Sequence, residues 1–232
     1  MSKRFALLIT WLMLVTSPPA LADTIAMIGT GDVGSALGKA FAAQGHTIIY
    51  GSREPDRKRV EELVAETGNG ASATTQFAAA AQADIVVLAV PGLLVEEITK
   101  SLGDLSDKII IDPTNPLKRS MLRLEHGVDT SNAQIIQDAA PDAHVVKAFN
   151  TLSWKTMVDP SEAGGPVSIP LAGNSGSAKK KVAELVAGMG LEPIDVGPVE
   201  HARWVEGMLI LWINNRYGSL RDSFDFHLRR VE

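Results

Sequence analysis

A GxGxxG hexad at residues 29–34 constrains the fold of this chain more than any other feature, because of what flanks it. The apolar run before it, residues 24–29, predicts a strand, and the amphipathic stretch over residues 32–44 predicts a helix. At such a junction the glycines allow a tight turn, close approach of backbone to phosphate, and close packing of helix on strand. A helix N-terminus also attracts phosphate through its unpaired N–H groups and its dipole. The hexad therefore predicts a dinucleotide-binding turn, with the pyrophosphate against Gly29, Thr30, Gly31, Asp32, Val33 and Gly34.

The end of the predicted second strand indicates which dinucleotide binds. A site for NAD ordinarily has an acidic residue there, which binds the 2′-hydroxyl of the ribose. This chain has Ser52 and Arg53 instead, and a hydroxyl and a guanidinium can bind a 2′-phosphate that a carboxylate would repel. Arg57 or Lys58 could add positive charge, and Glu54 is the one residue of unfavourable sign. The sequence therefore predicts NADP rather than NAD.

Apolar runs alternate with amphipathic stretches along the rest of the chain, which is typical of a parallel sheet covered by helices. We predict an α/β protein with a Rossmann doubly wound parallel sheet and a short helical C-terminal part. Residues 23–151 would form the dinucleotide-binding domain, and residues 152–232 would pack on the same sheet. Residues 117–131 are the least regular stretch and predict a loop over the site. The strands are predicted at residues 24–29, 46–51, 71–74, 84–90, 108–112, 144–149, 169–173 and 192–196.

The predicted strands also place polar and proline residues at the edge of the sheet where a doubly wound fold binds its ligand. Ala89, Val90 and Pro91 end one strand, and Thr114 and Asn115 follow the next, so we expect these residues to frame the nicotinamide half of the cofactor. Pro91 and Pro116 are equally well explained as plain strand terminators. The residues predicted to face substrate are Asn150 and Thr151.

Two further residues are candidates for proton transfer, each with a plainer explanation. Lys147 lies at the end of the predicted sixth strand, where it could be no more than a surface charge. His201 begins the last long helix, where a lone histidine is more often structural or capping than catalytic. The sequence alone leaves the catalytic residues unknown. The same helix carries an apolar stripe that fits either the core of its own domain or a homodimer surface, formed by Val205, Met208, Leu209, Trp212 and Ile213.

Residues 1–22 have the three parts of a secretory signal in the expected order. Lys3 and Arg4 form a basic start, residues 5–15 are a mainly apolar run, and residues 20–22 have the small-x-small form of a cleavage site. The apolar run is shorter than the ~20 residues of a membrane-spanning helix. We therefore expect a cleaved signal peptide and a secreted, periplasmic protein with no membrane span after cleavage. A cytoplasmic protein or an uncleaved, membrane-anchored one is the alternative.

Composition removes several other classes of function. The formal net charge of −5 and the lack of a long basic block argue against nucleic acid as a partner. The chain has no cysteine, so thiol catalysis, disulfides and thiolate metal sites are excluded. The five histidines show no metal-ligand spacing, and no metal is expected.

Four segments resemble the deazaflavin-coenzyme-dependent NADP oxidoreductase family, namely IGTGDVGSALGKAFAAQGHTIIYGSREP, DPTNPL, VVKAFNTL and LEPIDVGPVEHARWVEGM. The reductase domain of six-transmembrane ferric reductases belongs to the same wider group. The resemblance extends from about Thr24 to Trp212 and implies a Rossmann fold, often dimeric, in which Ser52 and Arg53 bind the 2′-phosphate. It also implies hydride transfer between NADPH and a flavin-like ring, which depends on alignment more than on acid–base groups.

The sequence thus predicts an NADPH-dependent oxidoreductase that transfers hydride between NADP(H) and a flavin-like or other small acceptor, with deazaflavin as the acceptor the resemblance implies. A non-catalytic NADP-binding or sensor protein is the alternative. Reduction of a carbonyl or an imine is a third possibility, and it would need a proton donor such as His201 or Lys147 near the nicotinamide.

Overall fold

The computed structural model describes residues 22–118, 124–126, 129–217 and 224–231. Within these ranges the apolar runs form one eight-stranded sheet. Each strand that the sequence predicts is present, with bounds within about two residues of those expected. The strands are β1 (Thr24–Ile28), β2 (Thr47–Ser52), β3 (Ser72–Thr75), β4 (Ile85–Leu88), β5 (Ile109–Asp112), β6 (His144–Lys147), β7 (Ser168–Ala172) and β8 (Glu192–Gly197).

Helices connect the strands and cover both faces of the sheet. They are α1 (Asp32–Ala43), α2 (Lys58–Thr67), α3 (Gln76–Gln82), α4 (Val95–Ser101), α5 (Asn132–Ala139), α6 (Trp154–Val158), α7 (Gly176–Gly188) and α8 (Ala202–Tyr217). Short 3₁₀ helices at Gly92–Leu94 and Val199–His201 precede α4 and α8, and another spans Pro160–Ala163. The sequence prediction included neither α6 nor the Pro160–Ala163 turn, which are too short to show a clear apolar period.

The strand order is β3-β2-β1-β4-β5-β6-β7-β8. The order reverses direction between β1 and β4, which is the switch point where a doubly wound sheet opens a crevice for ligand. The predicted Rossmann fold is therefore confirmed. The sheet is mostly rather than wholly parallel, because β7 runs antiparallel to β6 and β8 runs parallel to β7. Only the short α6 and a 3₁₀ turn lie between β6 and β7, whereas a parallel crossover usually needs a longer helix.

Two apolar layers fill the space between the sheet and its helices. One layer packs α1 and α7 against β1, β2, β6 and β7, and includes Phe41, Tyr50 and Phe149. The other packs α3, α4 and α5 against the opposite face. The apolar stripe of α8 is buried within its own chain at Val205, Leu209, Trp212 and Ile213, with Met208 only partly buried. The core explanation of that stripe is therefore correct for those four residues.

Several predicted features fall wholly or partly outside the described residues. The predicted signal peptide, residues 1–22, does so except for Ala22. The predicted loop over residues 117–131 is described only in part, and it contains an isolated bridge between Leu117 and Leu124. Among the described residues, no helix has both the length and the apolar character needed to cross a bilayer.

Candidate cofactor-binding site

The three glycines of the hexad occupy positions with different steric demands. Gly29 has a φ of +110°, and a Cβ there would lie 2.2 Å from the carbonyl oxygen of Ala89. A Cβ on Gly34 would lie 2.1 Å from the carbonyl oxygen of Gly29, so α1 approaches β1 as closely as a missing side chain allows. A Cβ on Gly31 would meet nothing within 4 Å. Gly29 and Gly34 are therefore required by the fold, whereas Gly31 borders open space.

The first turn of α1 faces that space without a side-chain cap. Helices α3, α5 and α7 are preceded by the N-cap residues Thr75, Ser131 and Ser175, whose hydroxyls accept a hydrogen bond from a first-turn N–H group. The N-cap residue of α1 is Gly31, which has no side chain to do so. Its first N–H groups are therefore left for a ligand. The side chain of Asp32 lines a separate groove of about 570 Å³ between α1, α2 and α6, so a phosphate contact at Asp32 would involve its backbone N–H.

A cleft of about 470 Å³ extends from the glycine turn along the ends of β2 and β4. Ser52 and Arg53 line it together with Arg57 and Arg59 from the start of α2. The Ser52 hydroxyl accepts a hydrogen bond from the backbone N–H of Glu54 at 3.1 Å, so its own proton is free to donate to a phosphate. Two carboxylates also line this cleft, those of Glu54 and Glu97, beside the three guanidinium groups.

Apolar side chains line the same cleft. Val90 follows β4, Leu94 lies in the 3₁₀ helix Gly92–Leu94, and Ile98 lies in α4. Apolar surface in a cleft that also holds arginines suits the flat adenine ring of a nucleotide that carries a 2′-phosphate. Five residues are predicted to lie near the nicotinamide. Ala89, Val90 and Pro91 line the cleft, whereas Thr114 and Asn115 lie beyond it.

The loops that follow β4 and β5 pack directly on each other at that far end. A Cβ on Gly92 would lie 2.0 Å from the carbonyl oxygen of Asn115, so no side chain separates the two backbones. Asn115 exchanges hydrogen bonds with Asn150, whose amide also donates to the carbonyl of Val205. Asn150 and Thr151 are buried, so neither presents a side chain to the cleft in this structure. Their predicted contact with substrate stays a prediction.

Lys147 is not a surface charge, and this part of the sequence interpretation is wrong. Its side chain is fully buried, and its Nζ lies 2.9 Å from Asp112 Oδ2 and 2.7 Å from Glu206 Oε1. The third hydrogen bond goes to the carbonyl of Thr114, which uses the last of the three ammonium donors. We name Asp112, Lys147 and Glu206 the Lys147 cluster. Strands β5 and β6 bring two of its members together, and α8 supplies the third.

The Lys147 cluster holds two carboxylates and one ammonium away from water, which shifts the pKa values of its members. Burial raises the pKa of Glu206, and the nearby Asp112 carboxylate adds to the effect. For Lys147, burial alone would lower the pKa, but the attraction of Asp112 and Glu206 raises it above the ordinary value. Lys147 therefore stays charged at neutral pH, and Glu206 takes up a proton more readily than an exposed glutamate does.

Sequence interpretation missed Glu206 and Asn132 as parts of this site. The Asn132 amide donates to Thr114 Oγ1 at 2.7 Å and to the Gly92 carbonyl at 3.0 Å, and its backbone N–H donates to Glu206 at 2.9 Å. A signal was present, since Glu206 interrupts the apolar stripe of α8 directly after Val205. A buried carboxylate needs a cation, and Lys147 stands between the apolar pairs Val145–Val146 and Ala148–Phe149, so the two could have been paired.

The fold and the site together define a Rossmann-type NADP-dependent reductase, with a glycine turn, an arginine-lined cleft and a switch point in the sheet. The family model described as NADP oxidoreductase coenzyme F420-dependent matches residues 24–116. An F420-dependent NADP reductase of Methanothermobacter thermautotrophicus is 32% identical over 210 residues, covering 82% of this chain and 88% of that protein. The chain belongs to the F420-dependent NADP reductase family.

Two other relatives place the chain in a wider group. A crystal structure described as an F420-dependent NADP reductase, from Arthrobacter sp. FB24, has a TM-score of 0.81 at 32% identity and covers 89% of this chain and 99% of its own. The rat metalloreductase STEAP3 (Rattus norvegicus) is 30% identical over 191 residues, which is 82% of this chain but 37% of that protein. The chain thus spans about a third of the length of that relative, and the resemblance to both groups expected from the sequence is confirmed.

Proposed function

We propose that the protein transfers hydride between NADP(H) and a flat, flavin-like acceptor at the end of the cleft bordered by the loops after β4 and β5. NADPH, when bound, supplies the hydride. The residues of the chain have to hold the dinucleotide extended and keep its reactive ring in one position. Gly31 and the first turn of α1 would bind the pyrophosphate, and Ser52 and Arg53 the 2′-phosphate.

The state of the two candidate proton donors is the observation that favours this reaction. Reduction of a carbonyl or an imine needs a proton donor near the nicotinamide. All three donors of Lys147 are used within the Lys147 cluster and the Thr114 carbonyl. His201 does not line the cleft, and its Nδ1 pairs with the carbonyl of Val196. Hydride transfer to a flavin-like ring needs neither of them in that role.

Anaerobic stopped-flow measurement with the purified protein and NADPH tests the proposal. A deazaflavin, FMN and a simple ketone would be offered as acceptors, and the nicotinamide absorbance followed. We expect the absorbance to fall with the deazaflavin or FMN and to stay constant with the ketone. Deuterium placed at C4 of the nicotinamide should then appear on the ring of the deazaflavin.

Two other outcomes would replace the proposal. Oxidation of NADPH by the ketone alone would identify a carbonyl reductase and would require a proton donor other than Lys147 and His201 near the nicotinamide. Tight binding of NADPH with no oxidation by any acceptor would identify an NADP-binding or sensor protein.

We further propose that residues 1–22 direct export and are removed after Ala22. The support is the order of the basic, apolar and small-residue parts of this segment. The test is to express the full chain in a Gram-negative host, separate periplasm from cytoplasm, and sequence the N-terminus of the product. An N-terminus at Asp23 in the periplasmic fraction is expected, and intact protein in the cytoplasm would contradict it.

A further inference from the structure

Glu206 connects α8 to the sheet and to α5 through two separate hydrogen bonds. Its Oε1 accepts from Lys147 Nζ at 2.7 Å and from the backbone N–H of Asn132 at 2.9 Å. Glu206 is almost fully buried, as are Lys147 and Asn132. A buried carboxylate held by two donors is restricted to one position, so α8 is fixed relative to β6 and to the start of α5.

Both connections continue to the loops at the far end of the cleft. Lys147 donates to the Thr114 carbonyl, in the loop after β5. The Asn132 side chain donates to Thr114 Oγ1 and to the Gly92 carbonyl, in the loop after β4. Asp112 completes the arrangement by accepting from both the N–H and the hydroxyl of Thr114. A displacement of Glu206 would therefore reach both loops.

The two loops respond together because Gly92 packs on the Asn115 backbone with no intervening side chain. Pro91, one residue before Gly92, lines the cofactor cleft, so the loop that is held from behind by Asn132 also borders the ligand. The phosphate-binding residues lie at the other end of the cleft and make none of these hydrogen bonds. A change at Glu206 should thus affect one end of a bound dinucleotide more than the other.

We propose that Glu206 is a positioning residue: through Lys147 and Asn132 it holds the two loops that orient the nicotinamide ring, without contacting the cofactor itself. The inference depends on the part of the proposed function that places the nicotinamide at these loops, and it is independent of the acceptor. A well-positioned ring is what hydride transfer requires, since small misplacements of reacting atoms lower the rate strongly.

The test uses bound NADPH with no acceptor present. The dissociation constant reports mainly on the phosphates and adenine, and the fluorescence lifetime of the bound nicotinamide reports how firmly its ring is held. For Glu206→Ala we expect the lifetime to fall by about twofold toward that of free NADPH, while the dissociation constant changes less than about threefold. Glu206→Gln keeps an oxygen acceptor for both donors and should restore most of the wild-type lifetime.

Leu209→Ala is the matched control, because Leu209 is buried on the same helix in a separate apolar cluster with Trp212 and Ile213. It should lower the melting temperature without shortening the lifetime. If Glu206→Ala does not fold, Asn132→Ala removes only the side-chain connection to Thr114 and Gly92, and it should shorten the lifetime in the same direction.

A wild-type lifetime in the folded Glu206 or Asn132 variants would overturn the inference, and so would an equal loss in Leu209→Ala. Failure of the wild-type protein to bind NADPH would instead overturn the proposed function. The two failures are therefore distinguishable.

Discussion

The two ends of the cofactor cleft are built by opposite means. At the phosphate end, the chain offers backbone N–H groups, the open space beside Gly31, and the exposed guanidinium of Arg53. At the other end, polar side chains are buried and bonded to one another, with the Lys147 cluster at the centre. Exposed groups can bind a charged ligand and still be replaced at little cost to folding. Buried charges cannot, because each depends on the others for compensation.

This comparison predicts that substitutions at the phosphate end change affinity, whereas substitutions at the buried end change stability or alignment. A phosphate-end variant that loses stability, or a buried-end variant that loses only affinity, would contradict this prediction.

The largest effect is expected from Lys147→Met, which leaves Asp112 and Glu206 buried without their cation. Breaking a buried ion pair on one side typically costs about 3–5 kcal/mol of the free energy of unfolding. Urea denaturation of the purified protein measures that loss. Combining Lys147→Met with Asp112→Asn and Glu206→Gln removes the uncompensated charges and should recover part of it. Equal stability of Lys147→Met and the wild type would show that the Lys147 cluster does not exist as described.

The next effect separates two glycines of the same turn. Gly29→Ala forces a Cβ against the Ala89 carbonyl at a positive φ, and it should cost about 3 kcal/mol or more of stability. Gly31→Ala meets no atom of the protein, so its stability should stay within about 0.5 kcal/mol while NADPH binds about tenfold more weakly. Denaturation and fluorescence titration measure the two quantities. The comparison fails if Gly31→Ala unfolds, or if it binds NADPH as the wild type does.

The same contrast explains how much the sequence could predict. The phosphate end depends on local rules, because a GxGxxG hexad between a strand and a helix leaves little freedom to the backbone. Ser52 ends β2 and Arg53 follows it directly, and both line the cleft. The Lys147 cluster joins residues 35 and 59 positions apart along the chain. Only the packing of α8 on the sheet brings them together, so Lys147 alone could not be distinguished from a surface charge.

A smaller effect, on affinity only, is expected from Arg53→Ala. A charged contact to phosphate contributes about 1.5–3 kcal/mol, so NADPH should bind roughly one to two decades more weakly. Binding of NADH, which lacks the 2′-phosphate, should change far less. Lys58→Ala is the control, since Lys58 is highly exposed and does not line the cleft. Equal weakening for both dinucleotides would remove Arg53 from the 2′-phosphate site.

The smallest effect is the pH dependence that Glu206 gives to folding. Its pKa in the folded protein is raised above the ordinary value of 4.5, chiefly by burial. As pH rises above 4.5, the unfolded chain releases this proton before the folded protein does, so the free energy of unfolding falls with pH until Glu206 ionises in the folded protein as well. The slope cannot exceed about 1.4 kcal/mol per pH unit for one proton.

Glu206→Gln isolates this contribution, because an amide does not titrate. Lys147 does not interfere near neutral pH, since its raised pKa matters only above its ordinary value of 10.5. Urea denaturation at a series of pH values above 4.5 measures the unfolding free energy of both proteins. As pH rises, we expect that of the wild type to fall relative to that of Glu206→Gln. Parallel curves for the two proteins would mean that Glu206 is ionised in both states. The buried end of the cleft would then hold a full negative charge, and the contrast with the exposed end would be sharper still.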